Sequence, residues 1–259
     1  MQKRITIMGV PVDALTKSEL LDIIFNESKE QKQIITINPE MILAAQHDKD
    51  FMNILNKSAI NTADGTGLLW AANTQNDPKI ISFLKLFKLL FKKPTTPLPE
   101  LIKGADLMLD IAQQAAENGT KIFLLGAQPG VAEKTKIELE KQFPKVQIVG
   151  TYSGSPSPYE EEKMKDIIND TNPEILFVAY GAPAQEKWIA RNLHKIPTIK
   201  AAIGVGGTFD YISGTIKRAP LLLQNLGLEW LYRLIKEPKR WKRIWNAVVV
   251  FPHRVVSRQ

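Results

Sequence analysis

Cysteine is absent from the 259-residue chain, which excludes disulfides, thiolate metal sites and cysteine nucleophiles and suits a reducing compartment. Histidine is scarce: His47, His194 and His253 stand far apart and show no metal-ligand spacing. No apolar run approaches the ~20 residues of a spanning helix. The opening Met1-Gln2-Lys3-Arg4-Ile5-Thr6 lacks the apolar stretch of a signal peptide. Neither GxGxxG nor GxxxxGK[ST] occurs, so the familiar dinucleotide and P-loop readings fail. Internal repeats and low-complexity linkers are missing too.

What is present is an ordinary globular composition, 44% apolar and 24% charged, long enough for one large α/β domain or two small ones. The net charge of +7 is unevenly placed. From Thr215 to Gln259, ten Lys and Arg face only Glu229 and Glu237, giving +8; the other 24 basic and 25 acidic residues leave the body at −1. A basic tail on a neutral body points to nucleic acid, a membrane surface or a phosphorylated ligand.

Along the chain, β-rich runs alternate with helical patterns. That predicts an α/β fold with a mostly parallel sheet and helices on both faces. Strands are predicted over 34–37, 58–63, 121–125, 146–149, 175–180 and 199–205. Helices are predicted over 106–118, 131–142, 159–169 and 184–192, and over 16–30, which opens on a capping box of Thr16 and Glu19. Pro39 suits the first turn of a further helix.

Two segments break this rhythm. In Lys79–Lys93, Phe83, Leu86, Phe87, Leu90 and Phe91 share one helical face and Lys85, Lys88 and Lys92 another, the pattern of an interfacial helix or of a lid. In the tail, Arg233, Lys236, Arg240 and Arg243 fall near one stripe that Pro238 must interrupt, among Trp230, Trp241 and Trp245. Cations mixed with Trp suit a phospholipid headgroup layer.

Open α/β sheets bind ligands at the carboxyl ends of their strands. Three polar clusters fall there: Thr36-Ile37-Asn38-Pro39-Glu40, Asn61-Thr62-Ala63-Asp64-Gly65-Thr66-Gly67 and Gly181-Ala182-Pro183-Ala184-Gln185-Glu186-Lys187-Trp188. Gly126-Ala127-Gln128-Pro129-Gly130 leaves a strand for a helix and lets backbone approach a phosphate. Gly204-Val205-Gly206-Gly207-Thr208-Phe209-Asp210 is a second glycine-rich exit. Asp48-Lys49-Asp50 has the form of an acidic metal-binding triplet but reads as a helix start, and no metal site or cofactor is expected.

Together these clusters resemble the WecG/TagA/CpsF family of bacterial glycosyltransferases. The matching pieces are Thr36 to Met41, Ala63-Asp64-Gly65 with Trp70, Gly104-Ala105-Asp106-Leu107, Phe123 to Gly130, Gly181 to Trp188, Gly204 to Asp210, Arg218-Ala219-Pro220, and Leu226 to Leu234 with Glu237-Pro238-Lys239-Arg240. The resemblance implies a Rossmann-like core (1–215, with an amphipathic insertion over 75–97) and a basic helical appendage (216–259). The implied reaction moves N-acetylmannosamine or a related hexose from a UDP-sugar to a polyprenyl-diphosphate-linked sugar. By motif position Asp64 corresponds to the catalytic base, Thr36 to a residue that positions the reacting groups, and Gln185 to an active-site amide. Asn38, Gly126, Gly130 and Gly206 are expected to bind substrate. Arg233, Arg240 and Arg243 are expected to reach the acceptor diphosphate. The implied location is peripheral, on the inner face of the cytoplasmic membrane against an anionic surface, as a monomer or a homo-oligomer.

One residue departs from the pattern: Leu101 stands where the family usually has arginine, and Lys103 is a candidate substitute. That departure keeps a catalytically impaired membrane adaptor in view. The basic tail likewise raises a nucleic-acid-binding protein, although the tail lacks a folded reader module. An oxidoreductase would need a better dinucleotide fingerprint.

Overall fold

The computed structural model describes residues 3–26, 30–74, 97–225 and 228–257. The amphipathic stretch anticipated over 75–97 lies, apart from Pro97, outside them, as do Leu226, Gly227 and Arg258. An N-terminal hairpin, β1 (Arg4–Ile7) and β2 (Val10–Asp13), precedes the sheet. Helix α1 (Lys17–Phe25) begins on the expected capping box, with Thr16 and Glu19 bonded reciprocally. Then follow β3 (Lys32–Ile37), α2 (Pro39–Ala45), α3 (Lys49–Lys57), β4 (Ile60–Ala63), α4 (Thr66–Thr74), α5 (Gly104–Asn118), β5 (Lys121–Gly126), α6 (Val131–Gln142) and β6 (Gln147–Tyr152). The body closes with α7 (Glu161–Thr171), β7 (Ile175–Ala179), α8 (Ala184–Asn192), β8 (Ala201–Gly204) and α9 (Thr208–Ile212).

Strands β3 to β8 form one parallel sheet in the order β4-β3-β8-β7-β5-β6. Its inner strands β7 and β8 are buried throughout, as a parallel sheet covered on both faces requires. Alternate residues go to opposite faces. Ile34, Leu124, Phe177 and Ile203 pack with α1, α5 and α6; Phe123, Leu125, Leu176 and Val178 pack with α7 and α8. Ile35 and Ile37 face a third cluster built from the hairpin, α2, α3 and α4.

The tail is broken where Pro238 stands. Helices α10 (Leu221–Asn225) and α11 (Glu229–Lys236) are followed by a 3₁₀ turn over Pro238–Arg240, α12 (Trp241–Trp245), a π-helical turn over Asn246–Val250, and α13 (Phe251–Ser257). Its two ends differ in burial. Phe251, Val255 and Val256 of α13 are buried in the same cluster as Ile35 and Leu68, whereas Trp230, Ile235, Trp241 and Trp245 are exposed.

Candidate active site

Two reversals of chain direction shape the working edge of the sheet. From β3 the chain runs outward to β4 and from β5 outward to β6, while β7 leads inward to β8. The carboxyl ends of β3, β4, β5, β7 and β8 therefore open onto one edge, where doubly wound sheets place ligands.

Asp64 lies just past β4. Its backbone N–H donates to the Ile37 carbonyl at 2.7 Å, which locks the exits of β4 and β3 together. Its carboxylate Oδ2 accepts from the backbone N–H of Gly104, the first residue of α5, at 3.4 Å. Gly104 also abuts Thr36: a Cβ there would stand 3.2 Å from Thr36 Oγ1. Asp64, Thr36 and Gly104 thus form one cluster across three elements. Asp64 is partly buried at the mouth of the strand exits, so it keeps some solvent contact while protein surrounds most of it. That burial pushes its carboxyl up to about 6. The Gly104 N–H and Lys103 oppose the rise, while Glu229 and Asp106 add to it.

Gln185 and Glu186 form a bracket beneath the next two strand exits. Gln185 is 4% exposed and its Oε1 accepts from the N–H groups of Gly181 and Gly206, each at 3.0 Å. Its Nε2 donates to Glu186 Oε1 at 2.7 Å. Gly204 is glycine because no Cβ fits: one would fall 2.4 Å from Gln185 Nε2 and 2.8 Å from Glu186 Oε1. Glu186 is 1% exposed, its second oxygen has no partner among the described residues, and burial pushes its carboxyl up to about 7. The sequence places Glu186 in the polar cluster after Gly181 but gives it no role of its own, because an acid in a first helical turn ordinarily faces water.

Gly126, at φ +103°, ends β5 against Ala179; a Cβ there would lie 2.9 Å from the Ala179 carbonyl carbon. Gly130 caps α6 without a side-chain bond, and of the first-turn amides the Val131 N–H donates to the Gln128 carbonyl at 3.0 Å. Asn38 caps α2 by accepting from the Met41 N–H at 3.0 Å. Asp48 does the same for α3 (Phe51 N–H, 3.0 Å) and pairs with Lys187 at 2.6 Å, so it is engaged in fold contacts. Among the described residues, no three acidic or histidine side chains gather as metal ligands.

The tail arginines divide into two sites. Arg233 and Arg240 both pair with Glu237, and the Arg233 guanidinium stacks 4.9 Å from the Tyr211 ring beside Gly207. Arg243 instead pairs with Glu40 of α2 at 2.6 Å. There it lines a cleft of about 450 Å³ with His47, Phe51, Pro183, Val250 and Arg254. The turn at Pro238 shifts the helical phase and sends Arg243 away from the other two. Leu101 packs against the apolar cluster of α2 and α4, and Lys103 is engaged by Glu229 at 3.2 Å.

Comparison with known proteins shows the family. The profile of the Glycosyl transferase WecG/TagA/CpsF family matches residues 5–259. The N-acetylglucosaminyldiphosphoundecaprenol N-acetyl-beta-D-mannosaminyltransferase of Bacillus subtilis (strain 168) is 31% identical over 244 residues, covering 92% of this chain and 86% of the relative.

Proposed function

The chain belongs to the WecG/TagA/CpsF family of glycosyl transferases, and from that premise we propose that it transfers N-acetylmannosamine, or a related hexose, from a UDP-sugar to a polyprenyl-diphosphate-linked sugar in teichoic acid or cell-surface polysaccharide synthesis. The supporting observation is Asp64: a carboxyl raised to about 6, at a strand exit, held by one backbone N–H. Such a group is largely ionised at neutral pH yet more basic than an ordinary aspartate, which suits a general base.

In this reading an acceptor hydroxyl gives its proton to Asp64. Its oxygen bonds to the sugar's anomeric carbon as the bond from that carbon to the UDP oxygen breaks, so one direct displacement inverts the centre. UDP leaves carrying the electron pair. The first-turn amides of α6 after Gly126 and Gly130 offset the diphosphate charge, joined by Arg233 and Arg240, whose planar forks bind phosphate oxygens in pairs. Thr36, beside Gly104, positions the reacting groups. Gln185 acts as a positioning residue, because its amide already bonds Gly181, Gly206 and Glu186.

The exposed Trp230, Trp241 and Trp245, set among Lys and Arg, support attachment to an anionic membrane surface on the cytoplasmic side. Among the described residues no helix is long and apolar enough to cross a membrane. The test is product analysis of the full chain with a panel of UDP-sugars and a synthetic prenyl-diphosphate N-acetylglucosamine. One added N-acetylhexosamine, released by no other donor as efficiently, is the expected product. Failure of every UDP-sugar would favour the adaptor reading.

A further inference from the structure

A chain of four charges joins the tail to the first turn of α5 and is not required by the displacement itself. Lys103 Nζ stands 3.2 Å from Glu229 Oε2. Arg218 continues the chain, 3.5 Å from Glu229 Oε1 and 2.6 Å from Asp106 Oδ1. All but Asp106 are largely covered. Glu229 is the first residue of α11, and it and Glu237 are the only acids among ten tail cations. An acid kept there opposes the tail's overall charge and therefore calls for a local reason.

Lys103 immediately precedes Gly104, whose N–H holds Asp64. A lysine at that point carries its charge on a flexible four-carbon stem. Left unpaired, its ammonium would be drawn to the Asp64 carboxylate. The pair so formed would stabilise the ionised form and occupy the lone pair that a proton needs. We propose that Glu229 is a positioning residue that holds Lys103 away from Asp64, so that docking of α11 on α5 leaves Asp64 free to accept a proton.

The groups facing Asp64 set the direction of the effect. Lys103 and Asp106 reach it from α5 and Glu229 from α11, with Arg218 committed to Asp106 and Glu229. Removing the charge of Glu229 withdraws a neighbouring negative charge and frees Lys103 at once. Both changes make Asp64 a weaker base. The tail then has a role within the site besides its cations: a docked tail frees the base, and an undocked tail lets Lys103 close on it.

This rests on Asp64 as the base, and the experiment separates the two. In full-length protein carrying carboxyl-labelled aspartate, with Asp64→Asn to assign the signal, Asp64 should titrate near 6. In Glu229→Gln it should titrate nearer the ordinary aspartate value of 3.8. In the double variant Glu229→Gln, Lys103→Met it should return most of the way. The acid limb of kcat/KM should move in parallel, with turnover at pH 7 falling about tenfold in the single variant and recovering in the double. An unmoved Asp64 in Glu229→Gln overturns the proposal. So does a double variant that titrates and turns over like Glu229→Gln, since that makes Glu229 only a tether of the tail. If the titrations behave as expected but Asp64→Asn still turns over, the base assignment fails while the hold of Glu229 on Lys103 stands.

Discussion

Gln185 Nε2 and Glu186 Oε1 are 2.7 Å apart, and through that contact two consecutive side chains of α8 brace the exits of both β7 and β8. The Gln185 amide cannot flip, because its oxygen faces two backbone N–H groups and its nitrogen faces a carboxyl. Gln185→Ala leaves the N–H groups of Gly181 and Gly206 without that acceptor. Both bonds are part-buried, so water replaces some of what is lost and the cost stays below the roughly 1–3 kcal/mol of a fully buried orphan donor. The variant should therefore lose both melting temperature and kcat, measured by calorimetry and by turnover of a soluble acceptor.

Glu186 gives stability a pH dependence of definite sign. Its folded carboxyl sits near 7 against an ordinary 4.5, so the native state binds more protons than the unfolded state between those values. Stability is then full below 4.5 and declines as pH rises through about 7. The whole decline is about 3 kcal/mol. Denaturant titrations from pH 5 to pH 8 should show wild-type stability falling, and Glu186→Gln should be nearly flat between pH 6 and pH 8. A slope shared by both proteins would place the proton elsewhere.

Much of this was legible in the sequence, for reasons that can be named. Helices α6 and α8 have the bounds that their patterns gave, because a glycine or proline exit precedes each and apolar spacing continues to its end. The capping box of Thr16 stands because it is purely local. What the sequence concealed was non-local. Lys103 and Glu229 are 126 residues apart, so no spacing rule joins them. That Pro238 interrupts the stripe of Arg233, Lys236, Arg240 and Arg243 is legible in the sequence, but not that Arg243 pairs with Glu40 while Arg233 and Arg240 pair with Glu237. Glu186 falls in the polar cluster after Gly181, but nothing local shows that α8 turns it into the sheet under Gly204. The N-terminal hairpin was also not anticipated. Its turn rests on Met8 and Gly9, both at positive φ, and its register is held by Arg4 with buried Asp13.

The division of the arginines predicts unequal effects on a short, water-soluble acceptor. Arg233→Ala and Arg240→Ala should each lower kcat/KM about 10–100-fold, the loss of one charge-assisted phosphate contact. Arg243→Ala, whose partner is Glu40, should change it less than about threefold. Equal losses in all three would mean that Arg243 leaves Glu40 when substrate binds.

Membrane attachment is better tested by point substitution than by truncation. Cutting the chain after Ile216 would also strip Phe251, Val255 and Val256 from the body's core and confound binding with unfolding. Trp241 and Trp245 are 55% and 56% exposed, so replacing both by Ala should leave the melting temperature unchanged. Sedimentation with anionic vesicles should weaken in that variant, and wild-type binding should fall as salt rises. Unchanged sedimentation would move the attachment away from α12.

The central claim is that Asp64 takes the acceptor's proton, and a pH–rate profile of wild type beside Asp64→Asn tests it most directly. An amide cannot accept that proton, and loss of a general base typically costs ~10²–10⁴-fold. Wild-type kcat/KM should rise through about 6 to a plateau, since Asp64 must be ionised to act. Asp64→Asn should melt normally, run at least about a hundredfold slower, and show no rise through that range. A folded Asp64→Asn that turns over near the wild-type rate, with the same acid limb, would contradict the account.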